Sequence, residues 1–279
     1  MPESYFRIER PEEHTLPVVV DVPHAGEWIP ENVREEMVVG RRELKRDLDL
    51  YVDKLWADAP ALGATLIVSQ VSRYVVDLNR APDDVSPETV KGGKCINKPG
   101  YYQDRGVVWR NTTSGVPVMA APMSKSTFQR RIDTFYHPYH KAIAQEIERV
   151  RKQFGYCILV DGHSMPSMGR RGHTDPGRRR ADIVPGNANG TSCDVTVTWT
   201  VEEHFRDMSY SVKTNQPYKG GFITRNYGRP GQDVHAIQIE ANRDLYMNER
   251  TFVIDTEGLE RLRQACKALL PKLADMDVK

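Results

Sequence analysis

Two histidines follow apolar runs that end at Pro or Gly. His24 comes after the valine-rich segment 18–23, and His163 comes after 157–162. Such runs predict buried strands, so both imidazoles are expected at strand carboxyl ends, where open α/β sheets build their sites. A third apolar run ends in Glu240. The two histidines suggest a metal ion, and Glu240 is a candidate general base for a water molecule activated there.

A catalytic zinc ion usually has three protein ligands, often two histidines and one carboxylate. Glu27 is one candidate for the carboxylate, because His24-x-x-Glu27 has the spacing of the His-x-x-Glu zinc motif. Asp49 is the other candidate, since it adjoins the apolar stripe of a predicted helix that would face the sheet. The spacing of the residues does not distinguish between the two.

The elements that would position these residues alternate between strands and helices. The predicted strands cover 17–22, 65–71, 74–78, 157–161, 195–199 and 234–239, where 65–71 and 74–78 are either two short strands or one bent strand. The predicted helices cover 43–57, 124–154 and 257–273. This alternation predicts an α/β fold, in which helices cover both faces of a mainly parallel or mixed sheet.

The chain of 279 residues is expected to form one domain, 1–279, around this sheet. Two segments, 81–122 and 165–192, lack regular periodicity and are rich in glycine and proline. Because long loops inside a compact domain are usually functional, we expect both segments to form the wall of a pocket. The basic stretch 169–180 is interpreted as a solvated loop or as a rim that attracts substrate.

The composition limits the classes of partner. A net charge of +1, from 39 basic and 38 acidic residues, gives no overall field for nucleic acid or a membrane surface. No apolar stretch reaches the length that spans a bilayer, and the polar amino-terminal segment does not resemble a signal peptide. The four cysteines form no C-x-x-C pair, and we expect them to be reduced. These features predict a cytoplasmic protein with neither a nucleic-acid nor a membrane partner.

Longer motifs carry a resemblance to a known family. The matching segments run in order over most of the chain: 22–26, 47–53, 72–80, 161–165, 190–194, 219–225, 235–240 and 245–247. The most specific are Ser-Arg-Tyr-Val-Val-Asp-Leu-Asn-Arg at 72–80 and Asp-Gly-His-Ser at 161–164. With these motifs the chain resembles the N-formylglutamate amidohydrolases, or formylglutamate deformylases, which are related to zinc-dependent exopeptidases and amidases.

The resemblance implies a fold and a reaction. The fold would be a three-layer α/β/α sandwich around a mixed, mainly parallel sheet. The reaction would be metal-dependent hydrolysis of the formamide bond of N-formyl-L-glutamate, giving formate and L-glutamate, in histidine degradation. One divalent metal ion, expected to be zinc, would be bound by His24, His163 and Asp49, with Glu27 as the alternative third ligand. Cobalt, nickel, manganese and iron also suit such ligands.

The resemblance also assigns roles around the metal. Glu240 would be the catalytic carboxylate, and an arginine, Arg73 or Arg80, would stabilise the oxyanion. The substrate would be a small dicarboxylate N-acyl amino acid, whose carboxylates suit guanidinium groups. The candidates for binding these carboxylates are Arg73, Arg80, Arg110 and Arg225. Asn79 is a further candidate for substrate binding, and Asp77 and Asn79 are also expected to orient the arginines.

Two alternatives stay open at the level of sequence. The first is a metal-dependent amidase or deacylase that acts on another N-acyl amino acid or on a peptide. The second is a non-enzymatic binder of acids or nucleic acid that uses the arginine-rich loops. Asn226 bears on specificity, because family members often have histidine at that position of the Thr-Arg-x-Tyr-Gly motif.

Overall fold

A six-stranded mixed sheet runs through the centre of the molecule. The computed structural model describes residues 4–98 and 100–276. The strands are β1 (Phe6–Glu9), β2 (Val18–Val22), β3 (Thr65–Ser69), β4 (Cys157–Met165), β5 (Ile183–Gly186) and β6 (Val234–Asn242). Their order is β1-β3-β2-β4-β6-β5. The four inner strands are parallel, and both edge strands are antiparallel to their neighbours. The predicted mixed, mainly parallel sheet is confirmed.

Helices cover both faces of this sheet. They are α1 (Glu31–Arg34), α2 (Arg41–Lys45), α3 (Val52–Leu55), α4 (Lys125–Arg131), α5 (His137–Phe154), α6 (Val195–Asp207), α7 (Phe222–Tyr227) and α8 (Thr256–Ala274), and a π-helical turn at Ile132–Tyr136 joins α4 to α5. Residues of α3, α6 and α8 share one hydrophobic cluster with one face of β2, and residues of α5 share the other cluster with the opposite face. The three-layer α/β/α sandwich is therefore confirmed. No helix within 4–98 and 100–276 is long and apolar enough to cross a membrane.

The strand order brings the predicted chemistry to one edge of the sheet. β2, β4 and β6 are adjacent and parallel, so their carboxyl ends lie together. His24 follows β2 by two residues, and His163 pairs directly with Glu240 in the register of β4 and β6. Because every residue of these three strands is buried, the site is built on the most rigid part of the fold.

The predicted helix 43–57 is wrong in its middle. The structure contains α2 and α3 with turns between them, and Tyr51 has the left-handed backbone angle φ 68°. The backbone N–H of Asp49 donates to the carbonyl of His24 at 3.0 Å instead of continuing a helix. This tertiary contact overrides the helical periodicity and turns the Asp49 carboxylate toward the end of β2.

Other differences have similar causes. The predicted strand 195–199 is the start of α6, which Asp194 caps by accepting from the N–H of Thr196 at 2.8 Å. Val197 and Val201 pack into the core from one face of that helix, so packing and capping override β propensity. The predicted strand 74–78 contains no strand residue and lies in turns, and the short edge strands β1 and β5 were not predicted.

Candidate metal centre

Three buried side chains meet at the carboxyl ends of β2 and β4. His24, Asp49 and His163, the His-Asp-His group, each offer one ligand atom, and these atoms lie within 4.8 Å of one another. Asp49 Oδ2 is 2.8 Å from His163 Nδ1 and 3.6 Å from His24 Nδ1. None of the three side chains is more than 4% exposed. Burial of this kind requires that the polar atoms find partners.

Buried carboxylates fix the opposite nitrogen of each imidazole. Asp77 Oδ1 is 2.7 Å from His24 Nε2, and Asp161 Oδ1 is 2.7 Å from His163 Nε2. Each Nε2 therefore carries the proton that it donates to the carboxylate, and both Nδ1 atoms face Asp49. A carboxylate that orients a histidine in this way is typical of metal sites.

The donor atoms fit a divalent metal ion. His24 Nδ1 is fully buried and has no hydrogen-bond partner, which leaves a lone pair directed at the centre of the group. Burial would raise the pKa of Asp49, but the hydrogen bond from His163 and the proximity of His24 and of the Arg243 charge hold it well below its usual value. Two imidazole nitrogens and one ionised carboxylate form the usual protein ligand set of a catalytic zinc site.

Arg243 holds the Asp49 carboxylate in place. Its Nη2 donates to Asp49 Oδ1 at 2.9 Å, and its Nε donates to Ser164 Oγ at 3.1 Å. The same guanidinium donates to the carbonyl of Arg46 at 2.6 Å, so it ties the end of β6 to the segment before α3. Because one carboxylate oxygen is occupied by Arg243, the other is left for the centre of the group.

Glu240 lies beside this group on β6. It is 7% exposed, and its Oε1 accepts a hydrogen bond from Gln238 Nε2 at 2.9 Å. Burial raises the pKa of Glu240, the charge of His163 opposes that rise, and Asp49 adds to it, so that the pKa reaches about 7. A carboxyl group with such a pKa can both accept and donate a proton near neutral pH.

A cavity of about 360 Å³ gives access to the His-Asp-His group and Glu240. Both long loops contribute to its wall, with Tyr102, Arg105, Trp109 and Thr113 from 81–122 and with Pro166, Gly172, His173, Thr174 and Arg180 from 165–192. Cationic side chains dominate the polar part of the wall: Arg46, Arg73, Arg80, Arg105, Arg180, Lys219, Arg225 and Arg243. The cavity is therefore suited to an anionic molecule of modest size.

The predicted arginines differ in whether an acidic side chain neutralises them. Arg73 donates to Asp77 Oδ2 from Nε at 3.1 Å and from Nη2 at 2.8 Å, and it stacks over Trp109. Arg80 and Arg225 donate only to backbone carbonyls and form no ion pair among the residues that the structure describes. Arg110 does not line the cavity, and its side chain donates to the carbonyl of Met119.

Glu27 and Asn79, the two other predicted site residues, lie in different surroundings. Glu27 lies at the surface, where its carboxylate pairs with Lys45 at 2.7 Å, and it is not a member of the His-Asp-His group. Asn79 lines the cavity, but its Oδ1 accepts from the N–H of Ile223 at 2.7 Å and its Nδ2 donates to Asp161 Oδ2 at 3.4 Å. Its side chain is therefore largely committed to other parts of the protein.

Sequence reasoning did not identify the partners that hold the site. Asp161 lies two residues before His163 on β4, and Gln238 lies two residues before Glu240 on β6. Because side chains alternate along a strand with a period of two, each pair lies on one face. That signal was available from the sequence. Asp77 was expected to orient arginines, and it also binds His24. Arg243 follows β6 and gave no signal beyond its place after Glu240.

We expect Asp77→Asn to weaken metal binding about 10–100-fold, which is the usual cost of losing an outer carboxylate. The amide would turn an N–H toward either His24 or Arg73, both of which now donate to Asp77. Titration of the metal-depleted protein with zinc measures this change. Asp84→Asn is the matched control, because Asp84 is equally buried but accepts from the backbone of Tyr102 and Gln103. Equal affinities for the two variants would contradict this role of Asp77.

The fold and the site together define an α/β/α protein with a buried His-Asp-His group and an adjacent carboxylate, an arrangement typical of metal-dependent hydrolases. The family model for N-formylglutamate amidohydrolase matches residues 16–247. The chain belongs to this family, so the resemblance seen in its motifs is confirmed.

Individual relatives agree with this assignment. The N-formylglutamate deformylase of Pseudomonas putida is 32% identical over 91% of this chain and 92% of the relative. The deformylase of Pseudomonas aeruginosa is 33% identical over 92% of both chains. A crystal structure of N-formylglutamate amidohydrolase from Ralstonia eutropha JMP134 superimposes with a TM-score of 0.87 at 30% identity and covers 98% of each chain. The similarity therefore spans both the strands and the loops that form the cavity.

Proposed function

We propose that this protein hydrolyses the formamide bond of N-formyl-L-glutamate to formate and L-glutamate, and that it depends on a divalent metal ion. The observation that carries the proposal is the His-Asp-His group, with its unpartnered His24 Nδ1, beside a protonatable Glu240 in a cationic cavity. The relatives named for this reaction support the choice of substrate. The chain would work as a single domain whose loops 81–122 and 165–192 form the wall of the substrate pocket.

His24, Asp49 and His163 are the residues that would hold the metal ion. A metal bound there would supply Lewis acidity for the formyl carbonyl and would lower the pKa of water at the site. We favour zinc because of the two imidazoles and one carboxylate, while cobalt, nickel, manganese and iron accept the same donors. Asp77 and Asp161 would keep both rings in the tautomer that presents Nδ1.

Glu240 would move the proton during the reaction. As a carboxylate it would accept a proton from the attacking water while the water oxygen forms a bond to the formyl carbon. The protonated Glu240 would then donate that proton to the amide nitrogen as the C–N bond breaks, so that formate and glutamate leave. Gln238, which donates to Oε1, would hold the other oxygen of the carboxylate toward the cavity.

Arg80 and Arg225 would bind the carboxylates of the substrate, because neither is neutralised by an acid in the described parts of the chain. Arg73, which we proposed as an oxyanion donor, is held by Asp77 and by the carbonyl of Asp47. We propose that it acts on the reaction partly by fixing the carboxylate that orients His24. Arg110 is left out of the proposed contacts because it does not line the cavity.

A panel of substrates tests the proposed function. Formate release from N-formyl-L-glutamate would be compared with acetate release from N-acetyl-L-glutamate and with glutamate release from a short glutamyl peptide. We expect the highest kcat/KM for N-formyl-L-glutamate. A higher value for the acetyl compound or the peptide would favour the alternative that the chain is an amidase with another substrate. No turnover of any of them by the metal-loaded protein would overturn the proposal.

Metal binding should also release protons. Burial would lower the pKa of His163, but Asp161 and Asp49 raise it well above its ordinary value in the metal-free protein. Each ring nitrogen lies within 2.8 Å of a carboxylate oxygen, so the metal-free imidazole carries a proton on both and must lose one to bind a metal. Calorimetry in buffers of different ionisation enthalpy measures this release, and Glu240→Gln removes the other titrating group. We expect about one proton per metal ion in that variant, and affinity that falls as the pH is lowered. Release of no proton would contradict the assignment of His163.

A further inference from the structure

His173 lines the same cavity, and the proposed reaction does not use it. Its Nδ1 accepts two hydrogen bonds, from the backbone N–H of Arg170 at 3.0 Å and from Arg180 Nη2 at 2.7 Å. A ring nitrogen that accepts hydrogen bonds carries no proton, so the single proton of the neutral imidazole must lie on Nε2. The surrounding residues thus determine the tautomer of His173.

The donor that determines this tautomer is itself rigid. Arg180 is 6% exposed, and it binds the Asp175 carboxylate through Nε at 2.9 Å and Nη2 at 2.7 Å. It also donates to the carbonyl of Pro166 at 3.2 Å. Burial and the charges of Arg180 and Arg170 lower the pKa of His173 to about 4, so the ring stays neutral at physiological pH.

The Nε2–H of His173 has no acceptor within the described residues, whereas the rest of the ring is held in place. A fixed N–H on a cavity wall that has no protein acceptor is a ready donor for a ligand oxygen. Arg105 lines the same cavity and contacts the residue before His173, since its Nη2 donates to the carbonyl of Gly172 at 3.2 Å. Arg105 comes from the other long loop and forms no ion pair in the part of the chain that the structure covers.

The charges indicate which oxygen would bind there. Arg80 meets Arg105 at this wall, because its Nε donates to the carbonyl of Arg105 at 3.2 Å, so two guanidinium groups without an ion pair among the described residues lie on this side of the cavity. The hydrogen bonds of His173 run only to its own loop and to none of the His-Asp-His group. Because His173 does not bond to the residues that would hold the metal, its Nε2–H is available to a part of the ligand other than the reacting formamide, and the nearby guanidinium groups favour a carboxylate there.

We propose that His173 is a specificity-determining residue, which donates its Nε2–H to the side-chain carboxylate of the substrate while Arg105 supplies the countercharge. This inference rests on the proposed function and names a contact that selects glutamate among N-formyl amino acids. The loops 81–122 and 165–192 would then bind the same carboxylate, the first through Arg105 and the second through His173.

Two substitutions at His173 separate its donor from its acceptor. His173→Asn keeps an acceptor near the position of Nδ1 but lacks the Nε2 donor. His173→Gln places an amide donor near the position of Nε2 but lacks the Nδ1 acceptor. The measured quantity is the ratio of kcat/KM for N-formyl-L-glutamate to that for N-formyl-L-norvaline, in which a methyl group replaces the side-chain carboxylate.

We expect His173→Asn to reduce this ratio about 10-fold or more, mainly through KM for the glutamate substrate, because a hydrogen bond to a charged group is lost. Turnover of the norvaline compound should change little, and His173→Gln should keep most of the ratio. An unchanged ratio in His173→Asn, or an equal loss on both substrates in both variants, would overturn the inference. Absence of formate release by the unaltered protein would instead refute the proposed function.

Discussion

Glu240→Gln should lower kcat for N-formyl-L-glutamate by about 10²–10⁴-fold, which is the usual contribution of a general acid–base residue. Glutamine keeps the shape of the side chain and its contact with Gln238 but can neither accept nor deliver the proton. KM should change little, because Arg80 and Arg225 remain in the cavity. Steady-state measurement of formate release checks this result.

The metal content of the Glu240→Gln protein is the control for this prediction. Glu240 is not a member of the His-Asp-His group, so the variant should bind as much metal as the unaltered protein.

The pH dependence of activity is a second test of the role of Glu240. Activity of the unaltered protein should fall as Glu240 becomes protonated, with an inflection below the metal-free pKa of about 7 because a nearby cation favours the carboxylate. Retention of kcat within about threefold, far less than general-base loss costs, would contradict the assignment.

Asp49→Asn should abolish stoichiometric metal binding and with it the hydrolysis of the substrate. Loss of an outer carboxylate costs about 10–100-fold in metal affinity, and loss of a direct ligand should exceed that range. Glu27→Gln is the matched comparison, since Glu27 was the competing candidate from the sequence and lies at the surface against Lys45. That variant should keep both its metal and its activity.

A second variant addresses folding. Asp49→Asn leaves the buried guanidinium of Arg243 without its carboxylate, which lowers stability regardless of any metal. Adding Arg243→Met removes the unpaired charge, so the double variant should regain thermal stability but not metal. Metal analysis of Asp49→Asn, of the double variant and of Glu27→Gln gives the result. Full metal content in Asp49→Asn, or its loss in Glu27→Gln, would show that Asp49 is not the third ligand.

The sequence predicts the central strands of the sheet, and the side chains that lie at their ends, for a physical reason. Strands that are buried on both faces form continuous apolar runs, and the parallel arrangement of β2, β4 and β6 brings their ends together. His24, His163 and Glu240 could therefore be identified from their places after such runs. The family resemblance then favoured Asp49 over Glu27.

Features set by distant contacts were not predictable in the same way. The break between α2 and α3 exists because Asp49 bonds to His24, which is remote along the chain. The partners of the cavity arginines also depend on folding, since Arg73 is neutralised by Asp77 whereas Arg80 is not. Local periodicity cannot reveal which of several arginines in a loop keeps an unpaired charge. His173 shows the same limit, because its tautomer depends on Arg180.

Metal content and formate release measured on the same sample test the central claim most directly. The purified protein would be assayed with N-formyl-L-glutamate before chelation, after complete removal of metal, and after one equivalent of zinc is restored. We predict activity in proportion to bound metal, with loss on chelation and recovery at about one metal ion per chain, as one metal ion at the His-Asp-His group would require. Full activity in a sample shown to be free of metal would contradict the account.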